Sequence, residues 1–84
     1  PNPARNITNI VYTLPEQGRV KITLTNILGQ AIQTLVDAEQ SEGTYKIVLN
    51  AADWMLYSGV YMYQIEVNGV TTHYSKLGKI VFER

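Results

Sequence analysis

The stretch that decides the fold is Ser58-Gly59-Val60-Tyr61-Met62-Tyr63-Gln64-Ile65-Glu66-Val67, which is followed by Asn68-Gly69 and then by Val70-Thr71-Thr72-His73-Tyr74. β-branched and aromatic residues flank Asn68-Gly69, and this pattern is the strongest short-range signal for a β-hairpin. A two-residue type I′ turn needs φ > 0 at both central residues, which Asn and Gly adopt at little cost. The stretch therefore predicts a hairpin with a two-residue turn at Asn68-Gly69.

This turn would set the register of the two strands and the character of each face. Val67 would face Val70, and Tyr63 would face Tyr74, so one face is mostly apolar and should point to a core. The opposite face would pair polar residues, namely Glu66 with Thr71 and Gln64 with His73. A hairpin with one apolar face must pack on other elements, and the rest of the chain supplies them.

The same alternation of apolar and polar residues recurs along the whole chain. It predicts strands over residues 7–14, stopped by Pro15, and over residues 19–25 and 45–50. Residues 31–36 are spaced irregularly, which indicates a bulge or a short edge strand. We expect a polar loop over residues 37–43 and a helical turn within residues 51–57.

The last strand contains a glycine with a predicted structural role. Lys76-Leu77-Gly78 should interrupt the strand, with Gly78 at a bulge or at a point of close approach. Residues 79–84 should end the chain in extended form.

Six or seven short strands separated by turn signals are typical of a β-sandwich. We therefore predict an all-β fold, an immunoglobulin-like antiparallel β-sandwich of six or seven strands. Tyrosine hydroxyl groups should reach water or a backbone carbonyl at the edge of the sandwich. The predicted core consists of Ile10, Tyr12, Leu14, Val20, Ile22, Leu24, Tyr45, Ile47, Leu49, Tyr61, Tyr63, Ile65 and Phe82.

Length and composition limit the possible functions. The 84 residues suffice for one domain, residues 1–84, with residues 1–6 as its junction to a linker. Seven basic residues balance seven acidic ones, so no excess positive charge favours nucleic acid. No apolar run approaches the roughly 20 residues of a membrane span. Since the chain starts at Pro1 and not at Met, we interpret it as a piece of a longer protein.

The sequence does not predict catalysis, a cofactor or a metal site. His73 is the only histidine and is expected to be a solvated strand residue. Asp37, Glu39 and Glu42 would share one loop; a calcium site is possible there, but a solvated loop is favoured because no ordered ligand motif is present. Trp54 and Tyr57 form either a sugar-stacking platform or, as we favour, a plug at the open end of the sandwich.

A series of motifs, in a characteristic order, resembles a known family. The series is Asn2-Pro3, Ile10-Val11-Tyr12-Thr13-Leu14-Pro15, Gly18-Arg19-Val20-Lys21-Ile22, Leu28-Gly29-Gln30, Thr34-Leu35-Val36, Gly43-Thr44-Tyr45, Ser58-Gly59-Val60-Tyr61-Met62-Tyr63 and Lys79-Ile80-Val81. It resembles the type A C-terminal sorting domain of the type IX (Por) secretion system. It is also similar to the immunoglobulin-like domain of flagellar hook-capping proteins.

The resemblance implies a sorting signal that takes a cargo protein through the periplasm to the cell surface or the medium. The implied partners are an outer-membrane translocon, a sortase-like peptidase and an N-terminal cargo domain of the same chain. Lys76-Leu77 also fits the closing motif, but Lys79-Ile80 is favoured. The sorting-motif candidates are Asn2, Pro3, Gly29, Gly43, Gly59, Tyr61, Lys79, Ile80 and Val81.

A second function remains open at this point. The chain is also compatible with a non-catalytic immunoglobulin-like accessory module, a spacer or a carbohydrate-binding domain, of an extracellular enzyme. Trp54 and Tyr57 separate the two functions, because a sugar platform would require both rings to be exposed. The terminal strand is where secretion machinery is expected to engage, since a strand at a sheet edge offers unpaired N–H and C=O groups.

Overall fold

Alternating apolar residues build six antiparallel strands in the computed structural model, which describes residues 7–54 and 56–83. The strands are β1 (Ile7–Leu14), β2 (Gly18–Thr25), β3 (Ala31–Gln40), β4 (Gly43–Asn50), β5 (Gly59–Gly69) and β6 (His73–Phe82). A single 3₁₀ turn, Ala51–Trp54, joins β4 to β5. The predicted all-β, immunoglobulin-like sandwich is confirmed. No helix in the described ranges is long and apolar enough to cross a membrane.

The strands form two sheets of unequal size around one core. β1 and β4 make a two-stranded sheet, and the larger sheet has the order β3-β2-β5-β6. In the larger sheet, β2 and β5 are central and contribute side chains that are almost completely buried, such as Ile22 and Ile65. β3 and β6 are the outer strands of this sheet, and within the described residues each pairs with one neighbour only.

The predicted core is confirmed. Nine of its residues are buried, while Tyr45, Ile47, Tyr61 and Tyr63 are partly buried and pack against them. Among the described residues, four further hydrophobic side chains are buried: Ala51, Leu56, Val67 and Ile80.

The tyrosine hydroxyl groups find partners at the rim of the sandwich. Those of Tyr45 and Tyr61 donate to the backbone carbonyls of Ser41 and Tyr57, at 2.7 and 2.8 Å. The hydroxyl of Tyr12 instead donates to the side-chain carbonyl of Gln40, at 2.7 Å. Burial raises the pKa of Tyr12, although this hydrogen bond opposes the shift.

The predicted position of the β5–β6 turn is wrong. Asn68 pairs with His73, so the connection lies at residues 69–72 and Tyr63 faces Gly78 instead of Tyr74. Gly69 does not adopt a positive φ. Its N–H donates to the carbonyl of Thr72 at 2.7 Å, which places Val70 and Thr71 at the tip.

The carboxylate of Glu16 explains this shift of the turn. Its Oε2 accepts hydrogen bonds from the N–H groups of Thr71 and Thr72, at 2.8 and 2.6 Å, and from the hydroxyl of Thr71 at 2.9 Å. A Cβ on Gly69 would lie 2.7 Å from the same oxygen, so a larger residue there would displace the carboxylate from this position. A contact from another turn of the chain therefore overrides the local preference of Asn68-Gly69.

The predicted polar loop over residues 37–43 is also wrong for most of its length. β3 continues to Gln40, and only Ser41 and Glu42 remain between β3 and β4. Asp37 stays in the strand because β2 lies beside it and Arg19 binds its carboxylate at 2.8 Å. Two register shifts interrupt the pairing with β2, so the predicted bulge is confirmed although the edge strand is not short.

β6 is not interrupted at Lys76-Leu77-Gly78, contrary to the prediction. It pairs with β5 through ten consecutive residues without a register shift. The predicted close approach at Gly78 is confirmed, because a Cβ there would overlap the ring atoms of Tyr63. The ring of Tyr63 thus occupies the space above Gly78, and the strand remains regular.

Candidate functional site

The first residues of β5 pair with the last residues of β6, which brings two motifs from separate parts of the chain together. Gly59 pairs with Phe82, Val60 with Val81 and Tyr61 with Ile80. Five of the nine predicted motif residues therefore meet at one end of the larger sheet: Gly59, Tyr61, Lys79, Ile80 and Val81.

Tyr61 anchors this end of the sheet. Its hydroxyl donates to the carbonyl of Tyr57 at 2.8 Å, which holds the segment before β5. Its ring packs edge-on against Phe82, with ring centroids 5.8 Å apart and an interplanar angle of 63°. Since Phe82 is buried, this contact joins the start of β5 to the end of β6.

The three residues of the closing motif divide between the two faces of β6. Ile80 is buried and belongs to the core. Lys79 is exposed and Val81 half-buried, and both lie on the outer face, since they pair with Met62 and Val60 of β5. The alternative lysine, Lys76, pairs with Ile65 and thus lies on the other face of the same strand.

The three motif glycines have positive φ angles, at which a residue with a Cβ would be strained. These angles are 84° at Gly29, 151° at Gly43 and 147° at Gly59. Gly29 lies in the β2–β3 turn, near the paired motif residues. Gly43 pairs with Leu14 at the opposite end of the molecule. Asn2 and Pro3 lie outside the described residues.

The β2–β3 turn presents apolar side chains from a well-ordered scaffold. The side-chain oxygen of Asn26 accepts hydrogen bonds from the N–H groups of Leu28 and Gln30, at 2.9 and 3.0 Å. Ile27 and Leu28, at the tip, are 67% and 78% exposed. Turns usually carry polar residues at such positions, so the apolar tip is a surface feature of this end of the molecule.

Sequence reasoning missed an apolar patch on the outer face of β5 and β6. The patch consists of Val60, Met62, Leu77 and Val81, and it surrounds Lys79. Leu77 is 66% exposed and Val60 44% exposed. Both faces of β6 carry apolar residues: Ile80 and Phe82 on the inner face, and Leu77 and Val81 on the outer face. This sequence pattern indicates a strand whose outer face is not fully solvated.

The remaining polar candidates are dispersed. His73 is exposed, as expected, and its Nδ1 lies 3.1 Å from the Oδ1 of Asn68. It pairs with Asn68 and not, as predicted, with Gln64. Asp37 and Glu39 belong to β3, so the predicted shared loop with Glu42 does not exist. No group of three potential metal ligands occurs within the described ranges.

The interpretation of Tyr57 as a plug is wrong. Its side chain is 81% exposed, and buried Leu56 and Ala51 lie in the connection that closes this end of the core. The side chain of Trp54 lies outside the described part of the chain.

An open groove of about 400 Å³ lies at the other end of the molecule. It is far along the strands from the paired motif residues, and its walls come from the β1–β2 and β5–β6 turns and from the end of β3. Its lining residues are Gln17, Gly18, Glu39, Asn68, Gly69 and Val70.

The comparisons with known proteins give one match. The family model described as the secretion system C-terminal sorting domain matches residues 1–83. No curated protein and no solved structure matches the chain.

Proposed function

Since the chain belongs to the secretion system C-terminal sorting domain family, we propose that it carries a cargo protein through the type IX secretion system and across the outer membrane. The family supports a sorting signal for a secreted or cell-surface protein that passes through the periplasm, and it is a non-catalytic family. Our proposal adds that residues 1–84 act as a single domain, with the cargo on the N-terminal side and residues 1–6 as the junction.

One observation supports the position of the signal within the domain. The motif residues at the start of β5 pair with those at the end of β6, and β6 is an outer strand of the larger sheet. The translocon would read this paired end, and a sortase-like peptidase would act on the exported chain. Tyr61 and Ile80 would hold the recognised surface in place by packing beneath it, while Lys79 and Val81 would contact the secretion machinery directly.

The decisive experiment tests whether the domain is sufficient for export. The 84 residues are fused behind a periplasm-targeted reporter in a type IX-competent cell. The reporter should reach the surface or the medium, and in an otherwise identical strain without the translocon it should remain periplasmic. A folded fusion that stays periplasmic in the competent cell would refute the proposal.

A second candidate function depends on the exposed ring of Tyr57. An exposed aromatic ring suits sugar stacking in an accessory module of an extracellular enzyme. Affinity electrophoresis in polysaccharide gels distinguishes this function. Retardation of the chain that disappears in Tyr57→Ala would favour it, whereas unchanged mobility in all gels would exclude it.

A further inference from the structure

The two outer strands of the larger sheet differ in their ability to accept another strand. β3 has two register shifts against β2, and its acidic residue Asp37 is bound by Arg19. A bulge is one of the means by which proteins protect a free sheet edge, because it disrupts the row of groups that another strand would pair with. β6 is ten residues long and has no register shift, so its outer edge is the regular one.

The charge of β6 points to the chemistry of a partner. The strand contains Lys76 and Lys79 and no acidic residue. Among the residues that the structure describes, the one ion pair is Arg19–Asp37, so neither lysine has a carboxylate within salt-bridge distance. Since the two lysines lie on opposite faces, an added strand would meet a positive charge on each face.

The same charges argue against a second copy as the partner. Antiparallel pairing of two β6 strands would bring two positively charged edges together, and like charges on neighbouring strands are destabilising. Pairing with β3 of another copy would require a straight edge, which the register shifts of β3 disrupt. The partner strand should therefore be acidic and should come from a different protein.

The apolar patch defines the remaining contacts. Along the outer face of β6, Leu77 and Val81 flank Lys79, and Val60 and Met62 of β5 lie behind them. An added strand would thus lie beside three outer-face side chains of β6 in turn: apolar Leu77, cationic Lys79 and apolar Val81. In strand addition, backbone hydrogen bonds provide affinity, and alternate side chains provide specificity.

We infer that β6 accepts, as an additional strand, an extended acidic segment of a partner protein, with carboxylates facing Lys76 and Lys79 and an apolar residue over Leu77. This inference rests on the proposed function, because it specifies the partner that reads the signal. It assigns a direct contact role to Leu77 and Lys76, which lie outside the favoured closing motif Lys79-Ile80-Val81.

A synthetic peptide tests the inference on the 84-residue chain. The probe is a ten-residue peptide of Val and Thr with two Glu residues three positions apart, the spacing of Lys76 and Lys79. The reference peptide carries Lys at both positions. The Glu peptide should protect the outward amides of β6 from hydrogen exchange, and the Lys peptide should bind roughly tenfold more weakly.

Three variants make the test specific. Lys79→Glu should abolish the preference between the two peptides, because each peptide would then meet one like and one opposite charge. Leu77→Thr should weaken both, because it removes apolar contact but keeps a residue that favours strands. Lys46→Glu is the matched control, since Lys46 is exposed on β4 of the other sheet. It should leave binding unchanged.

The outcomes separate the inference from the proposed function. Absence of protection on β6, protection on β3, equal binding of both peptides or dimerisation through β6 would each refute the inference. Export of the reporter fusion would still support the proposed function in those cases. A chain that binds the Glu peptide but does not export the fusion would refute the proposed function alone.

Discussion

At the scale of single residues, Glu16 contributes more to the fold than its partly exposed position suggests. Its carboxylate links the β1–β2 turn to the β5–β6 turn through three hydrogen bonds to Thr71 and Thr72. The N–H of Thr71 is the largest cause that lowers the pKa of Glu16 below its ordinary value of 4.5, and Thr72 adds to it. The two turns are therefore joined by a contact that depends on ionisation.

The first prediction concerns the effect of pH on this contact. Because the pKa of Glu16 is lower in the folded than in the unfolded chain, the contact stabilises the fold above the unfolded pKa. The stabilisation is lost as the pH falls through the folded pKa. Glu16→Gln should therefore lower the Tm at pH 7, and the difference from the unmodified chain should disappear in strong acid.

Thermal unfolding followed by circular dichroism between pH 7 and pH 2 measures this effect. Thr71→Val is the matched variant, because it removes the hydroxyl donor and keeps the N–H donor. It should give an intermediate loss of Tm at pH 7. A Tm difference between Glu16→Gln and the unmodified chain that stays constant over the whole range would contradict the prediction.

At the scale of elements, the pairing of β5 with β6 depends on the fit between Tyr63 and Gly78. The ring of Tyr63 lies where a Cβ of residue 78 would stand. An aromatic residue that covers a cross-strand glycine helps to fix strand register. Register matters here because a one-residue slip would move Ile80 and Phe82 out of the core.

The second prediction follows from this fit. Gly78→Ala should destabilise the chain by about 1–3 kcal/mol, because the ring of Tyr63 must move from its position. Urea unfolding measures the change. Ser75→Ala, at an exposed site on the same strand, is the control and should stay within about 0.5 kcal/mol of the unmodified chain.

A double variant tests the cause of the second prediction. In a Tyr63→Ala background, the cost of Gly78→Ala should largely disappear, since the overlapping ring is absent. An equal cost in both backgrounds would show that the ring is not the cause.

At the scale of the whole molecule, the proposed signal and the core share residues. Ile80 and Phe82 are buried, while Lys79 between Leu77 and Val81 faces outward. A domain of this size has a free energy of unfolding on the order of 5 kcal/mol. Deletion of the closing residues would therefore test folding and recognition at the same time, and surface variants are needed to separate them.

The third prediction is that Phe82→Ala leaves the chain only marginally stable. Loss of a buried phenylalanine costs about 3–5 kcal/mol, which is close to the whole stability. Amide resonances of an unfolded population should appear in NMR spectra at 37 °C. Glu83→Ala, at the exposed neighbouring position, should retain a folded spectrum. A spectrum of Phe82→Ala that shows the folded population alone would contradict the prediction.

Much of the fold was predictable because it depends on a local pattern. Alternation of apolar and polar residues identified β1, β2 and the core, since a strand presents successive side chains to opposite faces. The ordered motifs indicated the sorting family, and the family model matches residues 1–83. Gly78 was predicted to lie at a bulge or at a point of close approach, because a glycine within a strand has few other uses, and the second alternative is the one observed.

Contacts between distant segments decided the rest. Asn68-Gly69 favours a turn by itself, but Glu16, more than fifty residues earlier, holds the turn at residues 69–72. The local sequence around Asp37 predicts a loop, but Asp37 lies in β3 because β2 pairs with it and Arg19 binds its carboxylate. The sequence by itself determined which residues alternate and thus which become buried. Only the tertiary structure decided register, strand ends and the free edge of β6, because these depend on which segment lies alongside.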